Sequence, residues 1–339
     1  MKRLSQMLLS AACLVTAFAT FLAVCVPAAS AQEKYPSRPV RVMVPYAPGG
    51  ATDITARIIA DGFQRITGQP MLVINKPGAY GLLAIEEIIH GAPDGYTVMV
   101  GNVSTNAITP VLYAKKISAD YLKSVVAVTN LIDVPEFLVV TTANDFPIKT
   151  LPELIDYTNK NPGKIHYCSV GVGSYPHYDM AYFAKKAGDL DMVHLPNKNG
   201  ASGMTQDLLR GDIQTAFMNV ASAAGQVQAG KFRPLAIVAR ERLPDYPKVP
   251  TMKEAGYADV GTIAWNALFA SAETPKPVQQ ALFEAINKTL KDPQTVEKLN
   301  KQNFNIVPSK SLAEAQTWLG GEMKHWETIT TAVKIEIPQ

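Results

Sequence analysis

Three stretches rich in glycine and hydroxyls hold most of the residues whose types and spacing could do chemistry: 45–53 (PYAPGGATD), 171–178 (GVGSYPHY) and 196–203 (PNKNGASG). Glycine lets a backbone come close to a ligand with its N–H groups turned outward, and the unsatisfied donors of a first helical turn favour an anion. The shared chemistry is anion holding by backbone dipoles. In the first stretch Gly49 and Gly50 would bring amides to the anion, while Asp53 would fix the loop and start a helix. Each loop alone also reads as an ordinary turn, with glycine permitting the bend and Asp53 or Ser174 capping a helix. Three such loops meeting at one cleft favour a ligand site.

Other chemistries fit less well. A dinucleotide fingerprint needs G-x-G-x-x-G, and GVGSYP puts Pro176 at the third glycine; a G-x-x-x-x-G-K-[ST] loop does not occur. H-E-x-x-H, C-x-x-C and the G-x-S-x-G elbow are absent too. The five histidines, at 90, 166, 177, 194 and 325, lack ligand spacing, so neither a metal nor a cofactor is expected. His177 lies in a candidate loop and reads equally as a ligand contact or as a partner for local backbone. Cys168 and His166 would point to one face of a strand, which leaves a Cys–His pair open, although a small buried strand residue is the better reading of Cys168. Trp265 reads equally as a ligand-stacking residue and as interface filling.

The elements around the loops must position them. Apolar runs of strand length alternate with amphipathic stretches, which argues for α/β layers on largely parallel sheets, where ligands bind outside the carboxyl ends of the strands. The pattern predicts strands at 40–44, 71–74, within 92–101, and at 137–140, 165–170, 192–195, 214–218, 234–238 and 263–270. It predicts helices from Asp53 to a stop at Gly68, then over 82–90, 151–159, 179–187 and 204–210, with two more in the tail. Thr150 and Glu153 form a capping box around Pro152, as Ser311 and Glu314 do for the last helix. The simplest topology returns the tail to the first half. That gives two sheet domains with a cleft between them, crossed near 133–137 and again after Gly256, with the Pro- and charge-rich segment 240–261 as a surface crossover.

Lys2 and Arg3 precede an uncharged apolar run from Met7 to Val26 and the small-residue string Ala28-Ala-Ser-Ala31, the pattern of a secretory signal peptide cleaved near Ala31. A retained anchor is the alternative, since the run is long enough to span a bilayer. Lipidation at Cys25 is disfavoured by bulky Leu22. Loss of the leader takes the formal charge from +3 to +1, too little to draw in nucleic acid or a membrane surface. Of three cysteines only Cys168 would remain, so an internal disulfide is not expected and the core must carry the fold. The expected organisation is a signal peptide at 1–31, domain 1 from 32–135 plus 259–339, and domain 2 from 136–258.

In their order along the chain, five segments resemble the Bug-type extracytoplasmic solute receptors, the binding proteins of tripartite tricarboxylate transporters. They are YPSRPVRVMVPYAPGGATDITAR (35–57), GQPMLVINKPGAYG (68–81), GAPDGYTVMVGNVSTNAITPVLY (91–113), DLLRGDIQTAFMN (207–219) and PLAIVARERLPDYPKVPTMKEAG (234–256). The resemblance implies an α/β, two-domain periplasmic-binding-protein fold (type II-like) with the ligand cleft between domains. It implies a periplasmic, non-catalytic monomer that captures a small organic carboxylate and presents it to membrane permease subunits. Carried over by motif, the ligand contacts are Tyr46, Pro48, Gly49, Gly50, Thr52 and Asp53, then Ser104 and Asn106, then Ser169, Gly171, Gly173, Ser174 and His177. Lys198, Gly200 and Ala201 follow in the third loop, and Asn219 after the next strand. The chain departs from the family pattern at Pro196-Asn-Lys-Asn-Gly200, which lacks an aromatic and carries one extra residue, and at Met218, where many relatives have Asp. If Tyr175 and Met218 face the cleft, they favour a carboxylate with an apolar or aromatic body. Two other readings stay open: a receptor that serves a signalling partner, and a periplasmic Cys/His enzyme.

Overall fold

The apolar runs pair into two mixed sheets. The computed structural model describes residues 35–336 other than 198, so the predicted leader lies outside the described residues. The described residues from Arg38 onward group as one compact unit. The first sheet takes β1 (Val40–Val44), β2 (Met71–Asn75), β3 (Thr97–Asn102) and β4 (Val125–Val134), then β10 (Ala264–Ser271) and β11 (Asn305–Ile306) from the tail, in the order β11-β4-β10-β3-β1-β2. The second takes β5 (Glu136–Thr141), β6 (Ile165–Cys168), β7 (Met192–His194), β8 (Thr215–Asn219) and β9 (Phe232–Val238), in the order β7-β6-β8-β5-β9. The tail thus returns to the first sheet, as the simplest topology required.

The helices that matter for the cleft follow strand ends: α1 (Ala51–Thr67) after β1, α2 (Leu82–His90) after β2, α4 (Tyr175–Lys186) after β6 and α5 (Gly200–Arg210) after β7. Between α2 and α4 lies α3 (Leu151–Lys160), whose Thr150 cap accepts from Glu153 N–H. Next come α6 (Val220–Gln228), α7 (Lys276–Thr289), α8 (Pro293–Asn300) and α9 (Leu312–Ala332), the last capped by Ser311 as expected. Helix α4 begins at Tyr175 rather than 179, because Pro176 fits a first helical turn where no N–H is needed. Helix α5 likewise begins at Gly200 rather than 204, and the tail holds three helices rather than two.

Three further expectations are corrected. The sheets are mixed, not largely parallel: β10 lies antiparallel between β3 and β4, and β5 lies antiparallel between β8 and β9. These strands arrive by crossing from one sheet to the other, so no βαβ connection sets their direction. Strand β4 went unpredicted because VVAVTNLIDV is apolar on both faces and carries little alternation. Segment 240–261 is not a free crossover, since Leu243, Val249, Met252 and Val260 are buried against the second sheet.

Two buried carboxyls stand at the crossings between the sheets. Pro135 joins β4 directly to β5, and Glu136 immediately after it accepts hydrogen bonds at Oε1 from Tyr175 OH (2.5 Å) and Asn219 Nδ2 (2.8 Å). Its Oε2 is buried without a partner among the described residues. Asp179 on α4 accepts from Thr262 N–H (3.1 Å) and Thr262 Oγ1 (2.8 Å), just before β10. Burial, and then the nearby Asp179 charge, push the Glu136 carboxyl well above the usual range; burial also raises Asp179, against the two Thr262 donors. A raised acid binds its proton in the folded state where the unfolded chain has released it. Its stabilising effect is therefore fully present below the ordinary carboxylate pKa and diminishes as pH rises toward the raised value. Glu136→Gln is expected to fold, and above the ordinary carboxylate pKa its stability should fall less steeply with rising pH than that of wild type. Thermal unfolding across that range checks this, and parallel profiles would contradict it.

Candidate functional site

A cleft of about 610 Å³ opens where carboxyl ends of strands from both sheets meet. From the first sheet it is lined by 45–47 after β1, 77–81 after β2, Ser104 after β3, and Thr109 and Tyr113 just beyond. From the second it is lined by 170–174 after β6 and by Pro196, Asn197 and Gly200 between β7 and α5. All three glycine-rich loops therefore border one cavity.

Asp53 pins the first loop. Its carboxylate is buried and accepts Gly49 N–H (3.0 Å), Asn75 Nδ2 (2.9 Å), and Arg57 Nε (3.0 Å) and Nη2 (2.9 Å). Burial alone would raise this carboxyl, but the bonds from Arg57, Asn75 and Gly49 outweigh it and hold Asp53 below the usual range. Asn75 Nδ2 also donates to Tyr46 C=O (3.0 Å), tying the loop to the end of β2. The Tyr46 hydroxyl donates to Asn102 Oδ1 (2.7 Å) and lies 2.7 Å from Thr105 Oγ1, and its burial pushes the phenol up to about 12. Thr52 continues the network, accepting from Asn102 Nδ2 (3.1 Å) and donating to Asn266 Oδ1 (3.3 Å).

The second loop rests on two histidines. Ser169 Oγ donates to Gly171 C=O (2.8 Å), accepts Gly171 N–H (3.2 Å), and lies 2.8 Å from His194 Nε2. His177 Nδ1 accepts Gly173 N–H (3.2 Å), and its ring stacks on His194 with centroids 3.6 Å apart. Burial lowers His177 to about 3 and His194 to about 4, so both are neutral imidazoles at ordinary pH. The two sheets touch here: Tyr175 N–H, the first of α4, donates to Ser104 Oγ (3.1 Å). Ser104 itself begins a widened π-helical turn, Ser104–Ile108.

Of the residues carried over from sequence, Tyr46, Ser104, Gly171, Gly173, Ser174 and Gly200 line the cleft. Pro48 and Gly49 form the loop tip, Gly50 caps α1, and Thr52, Asp53, Ser169 and His177 brace the loops from behind. Asn106 is buried beneath its turn, donating to Tyr121 OH (2.6 Å). Ala201 and Asn219 border a smaller cavity of about 20 Å³, together with Glu136, Tyr175 and Met218. Lys198 lies outside the described residues. Trp265 is buried under α9, where it donates to Glu322 (2.7 Å) and packs on Trp318. The Cys168 thiol is fully buried, and burial followed by the Asp207 charge pushes it up to about 12, so it supplies no thiolate nucleophile.

The amides differ from expectation. Gly49, Gly171 and Gly173 N–H groups are engaged within their own loops, whereas the N–H groups of Ala47 and Val172, both at the cleft, donate to no other described residue. Sequence reasoning also passed over Tyr80 and Tyr113. The signal was present, since NKPGAYG follows β2 at the same carboxyl end as the other loops.

Two sheets joined by crossing strands, with one cleft at their strand ends, are the layout of a solute-binding protein of the periplasmic-binding-protein fold. The chain belongs to the family of tripartite tricarboxylate transporter receptors, whose model matches residues 55–335. A UPF0065 protein from the gbd 5′ region of Cupriavidus necator is 36% identical over 282 residues, covering 83% of each chain. Among solved structures, Rpa4515 of R. palustris with adipate is similar with a TM-score of 0.82 at 26% identity, covering 89% of this chain and 99% of that one. MatC (Rpa3494) from Rhodopseudomonas palustris with bound malate is similar with a TM-score of 0.79 at 29% identity, covering 87% and 99%. Family and fold are those of receptors rather than enzymes.

Asp53→Ala should release Gly49 N–H and strand a half-exposed Arg57, costing about 2 kcal/mol of stability. Calorimetric unfolding of the variant should show a melting point lower by several degrees, and an unchanged one would remove Asp53 as the loop's anchor.

Proposed function

We propose that this protein is a periplasmic receptor that captures a small organic carboxylate in the cleft and delivers it to the permease subunits of a tripartite transporter. The observation that carries the reading is that both sheets bring backbone N–H groups with no other described partner to one cleft, Ala47 N–H among those of the first-sheet loops and Val172 N–H among those of the second. Backbone donors at a cavity suit a carboxylate, since a hydrogen bond to an ionised acceptor is stronger than one to a neutral acceptor. Adipate and malate in the two similar structures are both carboxylates, and the family description supplies the transporter. The contacts at Tyr46, Ser104, Gly171, Gly173, Ser174 and Gly200 would surround the ligand; Gly49, Asp53, Ser169 and His177 would hold the loops in place. The lobes, 32–135 with 259–339 and 136–258, would close on it by bending at the crossings beside Glu136 and Thr262. Export to the periplasm rests on Lys2, Arg3, the apolar run 7–26 and the small residues ending at Ala31.

Titration calorimetry with a panel of mono- and dicarboxylates, each paired with its methyl ester, tests the reading. At least one acid should bind with its ester at least about 100-fold weaker, since the charged hydrogen bonds are lost, and Cys168→Ser should bind like wild type without turnover of the acid. Folded protein that binds none of the acids, or esters that bind equally well, would contradict it.

A further inference from the structure

The loop after β2 holds four consecutive residues at positive φ: Gly78 (119°), Ala79 (45°), Tyr80 (57°) and Gly81 (85°). Glycine enters this region freely, but Ala79 and Tyr80 do so against steric cost, which neighbouring contacts must hold. Thr109 Oγ1 donates to Tyr80 C=O (2.9 Å), and Gly81 N–H closes the turn onto Gly78 C=O (2.9 Å). Gly81 also lies so close to Thr105 that an added Cβ would come within 2.6 Å of its side chain. Strain fixed this firmly in a cleft-lining loop points to a use for the side chain it presents.

That side chain is an aromatic ring. Tyr80 lies on Tyr113 with centroids 4.8 Å apart and planes inclined by 20°. Tyr113 is only 6% exposed, whereas Tyr80 remains 39% exposed, and both line the cleft with Pro77 and, from the second sheet, Val170 and Val172. Two rings stacked as core filling would both be buried; here one stays uncovered inside a cavity. The Tyr113 hydroxyl is buried and meets no partner in hydrogen-bonding geometry among the described residues. Tyr175 and Met218, from which sequence suggested an apolar body for the ligand, border the smaller cavity instead.

We propose that Tyr80 and Tyr113 form the subsite for the body of the ligand, and that the protein takes carboxylates built on a flat aromatic ring in preference to aliphatic acids of the same size. The proposal rests on the carboxylate-receptor reading above and names the ligand class for that same cleft. A flat ring lies on the uncovered face of Tyr80 over its whole area, while a puckered ring or a chain touches it only in part.

The test uses matched pairs of probes in titration calorimetry: benzoate against cyclohexanecarboxylate, and benzene-1,4-dicarboxylate against trans-cyclohexane-1,4-dicarboxylate. Within at least one pair the aromatic acid should bind about 10-fold more tightly. Tyr80→Gly removes the ring and suits the positive φ, so it should fold, lose most of that preference and leave the aliphatic affinities little changed; Tyr80→Phe should keep the preference. Equal affinities within both pairs, or a Tyr80→Gly variant that weakens both members alike, would overturn the subsite. Aliphatic acids that bind while aromatic ones do not would overturn it and leave the receptor reading standing. Failure of every carboxylate to bind would overturn both.

Discussion

A tight loop at a strand end needs partners for the polar groups it buries, and the Asp53 carboxylate is the centre of those partners in the first loop. It gathers Gly49 N–H, Asn75 and Arg57 around one buried charge, and the shape of 45–53 follows from those bonds. Because Asn75 ends β2 and also holds Tyr46 C=O, the same charge fixes the loop relative to the sheet. Tyr46 then hands the constraint on to Asn102 and Thr105 after β3. The rigid part of the cleft is thus a polar network with one acidic centre and little slack.

The second loop meets the same requirement without a charge. Ser169 takes up Gly171 N–H and C=O, His177 takes up Gly173 N–H and His194 lies against Ser169, and burial lowers both imidazoles so that they brace without adding a charge beside the cleft. The link between the sheets runs through α4. Its first N–H is held by Ser104 of the other sheet, the Tyr175 hydroxyl by Glu136 at one crossing, and its Asp179 holds Thr262 at the other. One helix is therefore tied at the cleft and at both crossings between the sheets.

Much of this was legible in the sequence, and the gaps have physical causes. Glycine density marked the loops at 45–53, 171–178 and 196–203, because backbone that must bend sharply at a strand end announces itself in composition. Which amide within a loop stays unengaged is not written in composition. Gly49 and Gly173 give their N–H groups to Asp53 and His177, partners set by tertiary structure, while Ala47 and Val172 look unremarkable. Capping boxes at Thr150 and Ser311 were readable because they are local. The direction of β10 and the existence of β4 were not, since a strand buried on both faces lacks alternation and sheet-crossing strands escape the βαβ rule. For Tyr80 the place was legible, in NKPGAYG after β2, but not the left-handed backbone that presents its ring, which a tyrosine rarely adopts.

The central claim is that a carboxylate sits between the amides of Ala47 and Val172, in loops where the N–H groups of Gly49, Gly171 and Gly173 are already engaged. Amide nitrogen and proton chemical shifts, followed by NMR while a bound carboxylate is titrated into the protein, report on it most directly. The account predicts downfield amide proton shifts at Ala47 and Val172 together, with Gly49 and Gly173 little changed and the methyl ester of the same acid without effect. Shifts centred on Gly49 and Gly173, or equal shifts with the ester, would contradict it.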